Sequence, residues 1–142
     1  MSACQRPDER LVPFITPGGG SAYYSSEAVE LLKSCEGAID GARHWLECGR
    51  LDAAQAHAGH AINLGHGAIE AASWCAAFAA CVESQAIIGA ADEMELEACR
   101  HDLKQAGQAT AEAKLLLLDL VGLAGEITRA VKQAEVAAVC DA

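Results

Sequence analysis

Four side chains gathered around one short turn form the chain's most plausible constellation for chemistry: His44, Cys48, His57 and His60. Cys48 follows His44 by four residues and His60 follows His57 by three, and both spacings share a helix face. If the turn between their helices centres near Arg50 and Leu51, His44 comes opposite His57. Three imidazoles and a thiolate would then suit zinc or another transition metal in tetrahedral geometry. Histidines in a helical hairpin are also commonly solvated or hydrogen-bonded, so metal binding is the minority reading and no cofactor is the leading expectation. His66 is turned about 180° from His57 on the same helix and cannot join the group. His101, between Arg100 and Asp102, reads as a solvated residue.

Other reaction chemistries find less support. The seven cysteines (4, 35, 48, 75, 81, 99 and 140) contain no CxxC pair, so zinc-ribbon, thioredoxin-like and c-haem spacings do not occur. In a reducing cytosol most of them are expected to be small buried hydrophobes. Di-iron bundles need Glu-x-x-His, which this sequence lacks. The Gly18–Gly20 run follows no predicted strand and is therefore not a phosphate loop. A Cys48–His44 nucleophile pair would have no identifiable orienting group or oxyanion hole. The chain is expected not to be an enzyme.

The elements that must position these residues are helical. Of the 142 residues 52% are hydrophobic but only 4% aromatic, and the three prolines all lie at or before position 17. Beyond Gly18 nothing forbids a helix, and β-branched residues are sparse. Residues 1–24 read as an irregular arm, docked through Phe14, Tyr23 and Tyr24, ahead of a helical domain at 25–142. The predicted helices cover about 25–48, 52–88 and 92–138. Ser25 or Ser26 would cap the first, Asp52 with Gln55 the second, and Asp92 with Glu95 the third. Gly49 and Gly89 are the expected stops. Glycines at 65 and 67 leave open a break near 63–67 that would make four helices, and Gly107 is a weak point in the third.

Charge distribution separates the helices. Between Ala53 and Ala91 only Glu70 and Glu83 are formally charged, against seven charges from Glu27 to Glu47 and fourteen from Asp92 to Glu135. A helix so poor in charge belongs at the centre of a bundle. Its seam, Ala58 through Gly65, Ala68, Ala72, Cys75 and Ala79 to Ala86, consists almost wholly of small residues that allow close helix approach. The third helix keeps three–four spacing from Leu96 to Ala138, a pattern suited to coiled-coil-like packing. The fold class is thus an all-α antiparallel bundle of three long helices.

Length then points to self-association. A second helix of about 54 Å outruns a first of about 36 Å, leaving its apolar face open beyond Ala76. Leu115–Leu118 are four consecutive leucines, which point all round a helix. Exposed apolar surface of this size usually marks a partner site. The expected interface comprises Ala68, Ala72, Trp74, Cys75, Phe78, Ala79, Leu115, Leu116 and Leu118, completing the bundle in a homodimer or higher homo-oligomer.

A net charge of −10 argues against nucleic acid and anionic membranes and permits a basic protein partner. The start MSACQRPDER has no apolar run typical of a secretory signal, and the longest low-charge stretch is too short to span a bilayer. The expected location is the cytoplasm. The leading functional reading is a non-enzymatic protein acting through association, in an adaptor, chaperone, inhibitor or immunity-type role. The competing reading is a small-ligand or metal-binding bundle, using the hairpin histidines or a pocket beside Trp74 and Phe78.

Overall fold

In a computed structural model, residues 16–141 are described. They form three helices, α1 (Pro17–Glu47), α2 (Leu51–Ile87) and α3 (Glu93–Asp141), and each packs against the other two. The expectations for residues 1–15, including the docking of Phe14, lie outside the described residues.

Two turns set the topology, and the same chemistry closes both. Gly49 and Gly89 each adopt φ +76°, the left-handed conformation that only glycine takes without a Cβ penalty. After α1, the Arg50 and Gly49 amides donate to the carbonyls of Trp45 and Leu46; after α2, Ala90 and Gly89 donate to Gln85 and Ala86. These paired bonds satisfy carbonyls that the helix ends leave free. The turns are short, so α2 runs antiparallel to both α1 and α3.

The start of α1 departs from the sequence reading. The helix begins at Pro17 rather than Ser25, so residues 17–24 are helix and not arm. Proline at the first helical position loses no hydrogen bond, and Thr16 caps the helix by accepting the Gly19 amide on Oγ1 at 3.0 Å. The three glycines weaken the helix but do not stop it, because the cap and the packing of Gly20 and Tyr24 hold its first turns. The α2 capping box is also not formed. Arg50 occupies the cap position without a side-chain bond, and Asp52 lies inside the first turn. Asp92 does cap α3, its Oδ1 accepting the Glu95 amide at 2.8 Å. Neither Gly65–Gly67 nor Gly107 interrupts its helix, so the described residues form three helices and not four.

The core lies in three clusters along the bundle. Midway along the bundle Tyr24, Ala28 and Leu32 of α1 meet Ala68, Ala72, Cys75 and Phe78 of α2 and Ala106, Ala109 and Ala113 of α3. Further along, Cys35, Ile39 and Ala42 meet Ala54, Ala58 and Ala61, closed by Leu120, Leu123 and Ile127. Near the α2–α3 turn, Ala79 and Val82 pack on Cys99. Small residues on α2 make the close approach possible. At Gly65 an added Cβ would lie 2.9 Å from the Leu117 Cδ2, so three helices converge where α2 has no side chain.

Polar contacts fix the register of α1 against α3. Ser21 donates to the Asp102 carboxylate at 2.8 Å and Ser25 to Gln105 Oε1 at 2.6 Å, with both serines buried. At the far end Arg43 forms a two-pronged pair with Asp119 at 2.6 and 2.7 Å. That pair is substantially exposed and contributes geometry more than stability.

Candidate functional site

The hairpin histidines are not brought into one cluster. His44 Nε2 and Cys48 Sγ approach to 3.7 Å on the exposed end of α1. His57 lies over Gly41 instead of His44: a Cβ built at Gly41 would fall 2.7 Å from the His57 ring. Its Nδ1 is 2.9 Å from the Ala53 carbonyl, which can only accept, so Nδ1 carries the proton. The Trp45 ring separates the two histidines, 5.1 Å from His44 and 6.5 Å from His57 between centroids, with Arg50 above it at 5.7 Å. His60 is exposed beyond them. Among the described residues no group of three or more His, Cys, Asp or Glu is placed to hold a metal ion.

The difference from the sequence reading is one of register. Gly41 with His57, and Gly20 with Phe78, each lie equally far before and after Gly49. The hairpin axis is therefore at Gly49, where the αL turn forms, and not at Arg50–Leu51. This puts Ala54, not His57, level with His44.

The residues expected at an oligomer interface divide into two groups. Ala68, Ala72, Cys75, Phe78 and Ala79 are buried within the chain itself. Residues 17–24 of α1 cover the far part of this set, with Gly20 against Phe78 and the Tyr24 ring stacked on Phe78 at 5.7 Å. Ala68 and Ala72 pack in the cluster with Ala28, Leu32 and the α3 alanines 106, 109 and 113. Trp74 is half-buried beside Tyr24 at 6.3 Å, in ordinary core packing. The leucine run is split as well: Leu116 and Leu117 pack inward, whereas Leu115 and Leu118 are 66% and 68% exposed.

An outer face of α3 remains uncovered by the described residues. Besides Leu115 and Leu118, it presents Val121, Val136 and Val139. These three were not singled out by the inward seam, yet Leu115, Leu118, Val136 and Val139 fit a second three–four pattern on the opposite side of the helix. The inward seam itself is buried or half-buried as far as Val131, but its last members, Ala134 and Ala138, are exposed. The reason is length. At 49 residues α3 is about 73 Å long, against about 55 Å for α2, so its C-terminal turns extend past the bundle. Every residue from Lys132 to Cys140 is exposed. A smaller apolar patch, Ile87, Ile88 and Met94, lies at the α2–α3 turn beside Glu83, Asp92 and Glu93.

The free cysteines differ in reactivity by position. Cys35, Cys75 and Cys99 are buried, and burial pushes all three thiols up, Cys75 to about 12 from its ordinary 9.0. Cys48 and Cys140 are exposed. A thiol-alkylating reagent is therefore expected to modify Cys48 and Cys140 in the native protein and spare Cys75 and Cys99, as read by peptide mass mapping. The Cys75 shift also has a stability consequence. Below pH 9 both states hold its proton; between about pH 9 and 12 only the folded state does, so stability falls as pH rises. Cys75→Ala should show a shallower alkaline loss than the wild type. Parallel curves would mean that Cys75 is solvated.

No helix among the described residues is long and apolar enough to cross a membrane. Comparison with protein-family models, curated proteins and solved structures gives no match to this chain.

Proposed function

We propose that this chain is a non-enzymatic association module that works by binding protein, first of all a second copy of itself, through the outer face of α3. The observation that carries the reading is the contrast between the two sides of that helix. The inward side joins three packed clusters, while Leu115, Leu118, Val121, Val136 and Val139 remain exposed on the outer side. Isolated apolar residues are common on surfaces, but several on one face of one helix favour a partner.

The exposed C-terminal turns of α3, from Lys132 to Cys140, favour the same reading. An exposed helix end gains little from its own hydrogen bonds, and in proteins most helical stability comes from packing. The acidic surroundings of Ile87, Ile88 and Met94 support a basic protein as a further partner. Adaptor, chaperone, inhibitor and immunity-type roles all use such surfaces.

Multi-angle light scattering across a dilution series tests self-association. The expected result is a mass of twice the 14.7 kDa chain, falling toward the chain mass on dilution. A single-chain mass at every concentration would overturn the reading.

A further inference from the structure

The outer face of α3 is complementary to itself when two copies run antiparallel. Its central line is Leu115, Leu118, Gly122, Gly125, Arg129, Lys132, Val136 and Val139, in unbroken three–four spacing. Apolar residues occupy both ends, two glycines and two cations the middle. We propose that two copies pair along this line about a two-fold axis at the level of Ile127. This rests on the self-association reading above and adds the partner's orientation and register.

Reversal about Ile127 sets Leu115 of one copy against Val139 of the other, and Leu118 against Val136. It also sets Gly122 against Lys132 and Gly125 against Arg129. Lys132 thus meets a position with no side chain, since at Gly122 an added Cβ would find nothing within 4 Å, whereas a Cβ at Gly125 would stand 3.6 Å from the same chain's Arg129 Nη1. A parallel pairing would place Arg129 against Arg129 and Lys132 against Lys132, and such like-charge contacts disfavour it.

Length and charge agree with this arrangement. The overhang Lys132–Cys140, exposed throughout, is laid along the other copy's bundle, where it covers Leu115 and Leu118. The paired segment is about 36 Å long, more than three heptads. From Lys114 to Cys140 three cations and three carboxylates cancel, although the whole chain carries −10. Two strongly acidic molecules therefore meet on the face where their mutual repulsion is least.

The register is tested with Cys140, a free and exposed thiol, spin-labelled in a Cys48→Ser background. Antiparallel pairing about Ile127 separates the two labels by about 39 Å along the helix axis, and this distance must vanish in a Cys140→Ser control. The double variant L118E/V136E is expected to weaken dimerisation about 100-fold or more, since unpaired carboxylates would enter an apolar contact. L118E/V136K faces each new carboxylate with a new ammonium and should restore much of the loss. All substituted sites are exposed, so helical circular dichroism should be unchanged. Labels closer than about 20 Å, or a dimer indifferent to L118E/V136E, would overturn this register and leave self-association standing. A wild-type chain that is monomeric by light scattering would overturn both.

Discussion

Phe78→Ala is expected to destabilise the fold by about 3–5 kcal/mol, seen as a melting temperature lower by roughly 10 °C or more. Phe78 is 2% exposed, stacks on Tyr24 and fills the groove that Gly20 leaves in α1. Its neighbours in this cluster are mainly alanines, which are too short to move into the cavity. The counterpart at Gly20 makes the test specific. A Cβ there would stand 2.5 Å from the Phe78 ring, and a buried aromatic ring has no room to retreat. Gly20→Ala would gain helix propensity yet is expected to cost about 1–3 kcal/mol net through overpacking. In the Phe78→Ala background the clash disappears and the added methyl enters the cavity. The two changes should therefore combine to less than their sum, by about 1 kcal/mol or more. Strict additivity in urea unfolding would mean that the first turns of α1 do not dock on α2.

Leu123→Ala should be nearly as damaging, at about 2–5 kcal/mol, while Leu118→Ala in dilute protein should stay within about 0.5 kcal/mol of the wild type. Leu123 is 1% exposed and, with Leu120 and Ile127, closes the second cluster over Ala54, Ala58 and Ala61. Leu118, five residues earlier on the same helix, faces outward. Hydropathy alone ranks the two leucines equally, so the comparison measures the rotation of α3 about its axis. Equal losses at both positions would require a different rotation, or a partner already holding Leu118. Concentration separates those two outcomes: a partner's contribution disappears on dilution and a core contribution does not.

Fold class and the two helix-to-helix turns were legible in the sequence because they follow from local rules, whereas the glycines at 65 and 67 left a fourth helix open. Proline confined to the first 17 residues, glycines at 49 and 89, and Asp92 three residues before Glu95 mark boundaries that no distant contact has to decide. The central place of α2 was likewise readable, since a helix almost without charge has no face suited to water. Local rules failed at the ends. Pro17 and three glycines read as a breaker, yet Thr16 caps the helix there and Phe78, some sixty residues away, holds Gly20 in place. That extension covers the part of α2 beyond Ala76 that the expected helix lengths left open, with Phe78 at its centre.

By itself the sequence determined an all-helical chain, its turns at Gly49 and Gly89 and the inward seam of α3 as far as Val131, because periodicity and capping act within a few residues. That α2 runs unbroken through Gly65–Gly67 came from the structure. The tertiary structure alone decided register. A hairpin axis at Gly49 rather than Arg50–Leu51 turns His57 onto Gly41 and parts it from His44, so the four hairpin side chains do not gather. Register depends on the fit of Gly20 to Phe78 and Gly65 to Leu117, contacts between residues far apart in the chain. It also decided which leucines of the run from Leu115 to Leu118 point outward. The inward seam already includes Leu117, and only the packing of α1 and α2 against α3 added Leu116 to the core and left Leu115 and Leu118 outside.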